Sequence, residues 1–163
     1  TDEFCARENI TCLNMEIYYS WDESDLRNAM VELGIATVYQ DSKNLAMTTP
    51  FIEEIMKCDL ILDFSGEMWG DHAEPVGENR FLVNLIKDRV AQLLGKPVVL
   101  LAGSQGPFVK TEKVVEFARL VFKNFSLAAN REAASGELLK ANGFDISKTQ
   151  SFTDPAFLFD SDP

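Results

Sequence analysis

The chain is poor in cysteine and histidine, lacks any long apolar run, and carries none of the common glycine-rich nucleotide fingerprints. Each shortage removes a class of protein. Cys5, Cys12 and Cys58 are odd in number and show no C-x-x-C spacing, so they suggest neither a disulfide framework nor a zinc site, and a reducing cytoplasm suits them. A zinc site that also used His72, the single histidine, would need four convergent ligands scattered over the first half of the chain. No stretch approaches the roughly 18 uninterrupted apolar residues of a membrane span, and Thr1-Asp2-Glu3 lacks the basic start of a signal peptide. A soluble, cytoplasmic protein with no membrane span is the expectation. G-x-x-x-x-G-K-[ST] and G-x-G-x-x-G are both absent, which disfavours ordinary nucleotide hydrolases and nicotinamide-dependent enzymes.

What is present is one domain's worth of chain. The 163 residues, 46% of them hydrophobic, can bury a single ordinary core, so residues 1–163 are read as one domain. The net charge of −11 argues against nucleic acid or an anionic membrane surface as partner. Up to residue 80 there are 5 basic and 17 acidic side chains, and after it 10 and 9. A small anionic ligand is therefore expected nearer the second half, with the acidic first half a solvated surface.

Short apolar runs alternate with segments of helical period. Met15–Tyr19 reads as a strand, Asp22–Leu33 as a helix stopped by Gly34, and Ile35–Tyr39 as a second strand. Pro50 opens a short helix to Lys57, and Leu60–Phe64 is a buried strand ending at Gly66. Glu78–Leu94 has the stripe of a long buried helix, and Val98–Leu101 is the next strand. Thr111–Phe122 and Glu132–Ala141 read as helices around a strand at Ser126–Ala129, and Gln150–Thr153 and Ala156–Phe159 flank Asp154-Pro155. Strand and helix alternating in this way predict an α/β fold, a parallel sheet with helices on both faces.

In such sheets ligands bind beyond the carboxyl ends of strands, near the point where strand order reverses. Two strands run into glycine-bearing turns there, Leu62 to Gly66 and Leu101 to Pro107, and glycine permits close backbone approach. Glycine turns also end most strands of α/β domains whatever their role. Arg131 is placed at a helix N-terminus, where a cation is unfavourable by about 0.3–1 kcal/mol and something should offset it. One candidate is Glu132 or another internal carboxylate. The other is an external carboxylate or phosphate held by the guanidinium fork.

Four segments, CDLILDFSGEMWGD (58–71), GKPVVLLAGSQGPF (95–108), NREAASGELLKANGF (130–144) and TDPAFLF (153–159), in this order and spacing resemble the polysaccharide pyruvyl transferase family over roughly residues 55–160. The resemblance implies one half of a two-domain, glycosyltransferase-B-like architecture of Rossmann-like domains facing a cleft. This chain would be the N-terminal domain and the C-terminal domain of the same protein would be absent. It also implies transfer of a pyruvyl group from phosphoenolpyruvate, a donor substrate and not a cofactor, to a hydroxyl of a surface polysaccharide. The usual glycine-rich opening of the family is not found before Met15, and Ser65-Gly66-Glu67 replaces its paired glycines.

The family's Arg-Glu-x-x-Ser motif implies that Arg131 contacts the donor's anionic groups, with Gly103, Ser104, Gln105 and Gly106 lining the cleft. That reading requires the guanidinium to open onto a cleft and not to be neutralised by an internal carboxylate. His72 and Asp71, just past a strand end, are candidates for proton transfer, or else a surface histidine and a loop-capping carboxylate. Asp71 and Glu67 are candidate acceptor-sugar contacts or else loop-capping carboxylates, Gly66 is placed among the substrate-binding residues, and Trp69 either stacks on a sugar ring or is a rim aromatic. Two other readings stand beside this one: half of a nucleotide-sugar glycosyltransferase, and a non-catalytic α/β domain that binds a protein through its acidic half.

Overall fold

A computed structural model describes residues 2–66, 68–76, 79–109, 112–154 and 157. Its elements run α1 (Asp2–Arg7), a 3-10 turn (Met15–Ile17), α2 (Ser24–Ser42), α3 (Pro50–Lys57), β1 (Ile61–Asp63), a 3-10 turn (Asp71–Val76), α4 (Arg80–Leu93), β2 (Val98–Gly103), α5 (Glu112–Lys123), β3 (Leu127–Asn130), α6 (Ala133–Ala141) and β4 (Thr149–Ser151). The four strands form one sheet in the order β1-β2-β3-β4, every pair parallel. A parallel neighbour requires a crossover, and α4, α5 and α6 supply the three. The fold is α/β and Rossmann-like.

Register sets what is buried. Asp63, Leu100 and Ala128 sit side by side across β1, β2 and β3 and all are buried. Leu62, one residue earlier, alternates to the opposite face and is 54% exposed. The core holds a cluster of rings: Trp69 lies within 6.0 Å, centroid to centroid, of Phe81, Phe122 and Phe125. Phe108 and Phe144 extend it at 4.8 Å from each other.

The end of the chain agrees with its sequence pattern better than the beginning does. α3 starts where Thr49 accepts the Ile52 N–H (3.3 Å) and Pro50 occupies the first turn, as capping chemistry requires. The strand expected at Met15–Tyr19 is instead a 3-10 turn capped by the Asn14 side chain on Glu16 N–H (3.1 Å). It delivers the Tyr18 hydroxyl to Asn84 Oδ1 (2.9 Å) and the Tyr19 hydroxyl to the same atom (3.5 Å).

Gly34 stops nothing: α2 continues through it to Ser42, and the strand expected at Ile35–Tyr39 is helix. A mid-helix glycine costs about 1 kcal/mol relative to alanine. Here it is outweighed by packing on α4, because Ala29 and Ala36, two turns apart, are fully buried there. Thr111, Glu78 and most of Ala156–Phe159 lie outside the described residues.

α4 is the central helix, and polar as well as apolar faces are buried. Arg80, Asn84, Lys87 and Asp88 are each no more than 4% exposed. α2 supplies the matching acids: Arg80 Nη1 lies 2.9 Å from Asp25 Oδ2, and Lys87 Nζ 2.6 Å from Glu32 Oε2. Both pairs are seven residues apart and run in the same order, so two helices in parallel present complementary charges every second turn. The acidic first half is thus not wholly a solvated surface, since Asp25, Glu32 and Asp63 are internal.

Candidate functional site

The loops after β1, β2 and β3 meet at the carboxyl end of the sheet. Ser104 N–H donates to Gly66 O (3.0 Å), Gly106 N–H to Trp69 O (2.7 Å) and Asp71 N–H to Pro107 O (2.9 Å). These bonds zip residues 66–71 to 104–107. At Gly70 only hydrogen fits: a Cβ there would lie 2.6 Å from Gly106 O. Among the described strands the order never reverses, so no topological switch point opens the sheet here. The opening comes from the loops themselves.

Against them stands an open cavity of about 450 Å³ lined by His72, Ser104, Gly106, Pro107, Arg131 and Glu132. Arg131, in the turn between β3 and α6, is a quarter exposed. Its Nε donates to Ser104 Oγ at 2.7 Å, and its Nη1 to Asp154 Oδ2 at 3.1 Å. Glu132 Oε2 is 3.8 Å from Nε. Glu132 is fixed in turn by Ser135 Oγ (3.0 Å), and Ser135 Oγ accepts the Gln105 N–H (3.1 Å). The chain Gln105, Ser135, Glu132 ties the β2 loop to the first turn of α6.

Of the two conditions set for Arg131, one is met and the other is not. The guanidinium does open onto a cavity at the end of the sheet. It is not unopposed, because internal carboxylates, chiefly Asp154, already offset its charge. An anion from outside would have to exchange with Asp154.

Of the other expected residues, Ser104 and Gly106 line the cavity, while Gly103 and Gln105 lie beneath it. The Gln105 side chain is 1% exposed and its amide has no hydrogen-bond partner, so as placed it faces no cleft. His72 lines the cavity with Nε2 buried and without a hydrogen-bond partner. Asp71 accepts the Val109 N–H, the loop-capping role. Gly66, at φ +61°, serves through its carbonyl on Ser104, and Glu67 lies outside the described residues.

Trp69 is corrected outright. It is fully buried, with Nε1 donating to Asp63 Oδ2 at 3.0 Å, so it neither stacks on a sugar nor sits at a rim. A tryptophan can be that deep only where its N–H finds a partner, and Asp63 at the end of β1 provides one.

A second polar group, behind Trp69, is wholly unforeseen. Asp63 Oδ2 also accepts Asn84 Nδ2 (3.2 Å), and Asp63 Oδ1 accepts the Ser65 N–H (2.9 Å). Burial, and then the charge of neighbouring Asp63 and a hydrogen bond to it, raises the Asp88 carboxyl well above the usual range. Burial raises Tyr18 and Tyr19 as well. The sequence did carry a signal for it: Arg80, Asn84, Lys87 and Asp88 recur at helical spacing, the mark of one polar face.

The architecture defines an α/β domain with a loop-built cavity at the carboxyl ends of β2 and β3. The polysaccharide pyruvyl transferase family profile matches residues 5–163, and the chain belongs to that family. No curated protein and no solved structure gives a significant match.

Proposed function

We propose that this chain is a domain of a transferase that moves a pyruvyl group from phosphoenolpyruvate to a saccharide hydroxyl, working with a second domain of the same protein across the cavity of His72, Ser104 and Arg131. Membership of the family supports the transferase class and a saccharide acceptor. The observation that carries the finer reading is the guanidinium of Arg131, aimed by Ser104 and Asp154 at the rim of that cavity.

Phosphoenolpyruvate is an enol ester of phosphoric acid with a carboxylate on the same carbon. A proton added to its methylene makes C2 electron-poor, a sugar hydroxyl attacks C2 and loses its proton, and phosphate then leaves with the C2–O electrons. Attack by a second hydroxyl closes a ketal. The step needs cations for the donor, an acid for the methylene and a base for the hydroxyl. Arg131 takes the carboxylate or phosphate in place of Asp154, and Asp154, once released, is a carboxylate beside the donor. His72, in the same lining, handles a proton. Asp71 and Gly106 hold the wall in shape.

The test is phosphate release from phosphoenolpyruvate with candidate saccharides, in protein carrying this domain. Arg131→Ala is expected to weaken donor binding by roughly 10- to 100-fold, the value of a charge-assisted hydrogen bond of about 1.5–3 kcal/mol. Asp154→Asn removes the competing charge and is expected to tighten donor binding by about 2- to 5-fold, since a partly exposed ion pair is worth at most about 1 kcal/mol. Phosphate release that ignores Arg131→Ala, or a nucleotide sugar consumed in place of phosphoenolpyruvate, would overturn the proposal.

A further inference from the structure

We propose that Cys5 and Cys12 are a modification site: a dithiol that low-molecular-weight disulfides, with oxidised glutathione as the representative, close to an intrachain disulfide. The two Sγ atoms lie 3.3 Å apart in the reduced protein. Local backbone geometry holds them there. Cys5 is in α1, whose end folds back through Asn9 at φ +55°, and the Ile10 N–H returns to Cys5 O at 2.7 Å. Cys12 follows two residues later on the exposed side of that turn.

The two sulfurs are not equivalent. Cys12 is the more exposed, and the hydrogen bond to Cys12 raises the pKa of the Cys5 thiol. Cys12, as thiolate, attacks one sulfur of oxidised glutathione; the glutathione S–S bond breaks and one glutathione thiolate leaves. Cys5 then gives up its proton and attacks Cys12 Sγ, releasing the second glutathione. Two protein thiols are oxidised by two electrons, and one glutathione disulfide becomes two thiols. Cys58, whose Sγ donates to Glu54 O at 3.3 Å after α3, has no thiol partner and serves as an internal control.

The closed bond would join α1 to residues 10–14, which lead into the 3-10 turn and to Tyr18 and Tyr19 on buried Asn84. The spacing of the cysteines gave no sign of this, because a pair seven residues apart becomes a site only when the turn brings the sulfurs together.

The test treats the reduced chain with oxidised glutathione at mildly alkaline pH, and then counts free thiols and maps tryptic peptides without reduction. The expected result is loss of two of the three thiols, no retained glutathione, and a cross-link between peptides 1–7 and 8–27. Cys12→Ser should instead hold glutathione as a mixed disulfide, and Cys58→Ser should close as the parent does. Closure is expected at least ten times faster in the folded chain than in denaturant. Stable glutathionylation of the parent, a disulfide-linked pair of chains, or equal closure rates folded and unfolded would each overturn the proposal.

Discussion

The most exacting test of the packing concerns the buried ion pair that α4 makes with α2. Lys87 Nζ is 2.6 Å from Glu32 Oε2, and the side chains are only 3% and 5% exposed. Glu32→Gln keeps the shape and an acceptor for the Thr49 hydroxyl, which lies 3.1 Å from Oε1, but removes the counter-charge. What remains near the ammonium is the face of Phe51, 4.0 Å from Nζ, the ring of Tyr18 at 5.5 Å and the weaker pull of Asp25. Breaking a buried pair from one side costs about 3–5 kcal/mol. An independent ceiling comes from the lysine itself: discharging an amine of ordinary pKa 10.4 at pH 7 costs about 4.6 kcal/mol, at 1.36 per unit. Burial already lowers the pKa of Lys87 against the opposing pull of Glu32, so losing Glu32 drives it lower still.

Urea unfolding should therefore show a fall of about 3–5 kcal/mol, moving the midpoint by roughly 2 M for a slope near 2 kcal/mol/M. The deficit should shrink as pH rises towards the unfolded lysine's pKa, because a neutral Lys87 is then favoured in both states. The double variant Glu32→Leu with Lys87→Met should come within about 1 kcal/mol of the parent or exceed it. A Glu32→Gln loss below about 1 kcal/mol, the range of an exposed pair, would refute the burial argument.

Three further outcomes follow from other positions. The raised pKa of Asp88 means the fold holds that proton more tightly than the unfolded chain, whose Asp titrates near 3.9; this contribution is fully present below about pH 4 and is lost as pH rises towards the folded value. Asp88→Asn should remove that decline, so its stability advantage over the parent grows with pH, and a pH-independent difference in calorimetry would count against the raised pKa of Asp88. Gly34→Ala, with nothing within 4 Å of the added Cβ, should stabilise by about 0.5–1 kcal/mol in thermal unfolding; a loss would mean the helix is not continuous there. Gly70→Ala drives a methyl into Gly106 O and should cost about 1–3 kcal/mol while loosening the cavity wall, so an unchanged midpoint would contradict the zipped loops.

Local chemistry made much of the fold legible. Thr49-Pro50 marks a helix start by capping, and the apolar runs at Ile61–Asp63, Val98–Gly103 and Leu127–Asn130 are too short and too closely punctuated for buried helices. The order of strands and helices then leaves little besides a parallel sheet, and four motifs in sequence carried the family, which the match over residues 5–163 bears out. Ser104 and His72 were legible as residues of loops at strand ends and Arg131 as a residue at a helix N-terminus, and all three line one cavity.

The remainder was decided between distant residues. Ile35–Tyr39 carries the letters of a strand, and only the α4 surface beneath Ala29 and Ala36 makes it helix. Trp69 reads as a surface aromatic until Asp63, six residues earlier, supplies a buried acceptor. Arg131 has its acidic neighbour in Glu132 by sequence, yet its closer partner is Asp154, brought from 23 positions away by the turn after β4. Periodicity and capping act over a few residues, so the amino-acid order determines which elements form and in what succession. Charge pairing and burial act through space, so whether a side chain is an internal strut or a free hand at the cavity was settled only when the chain closed on itself.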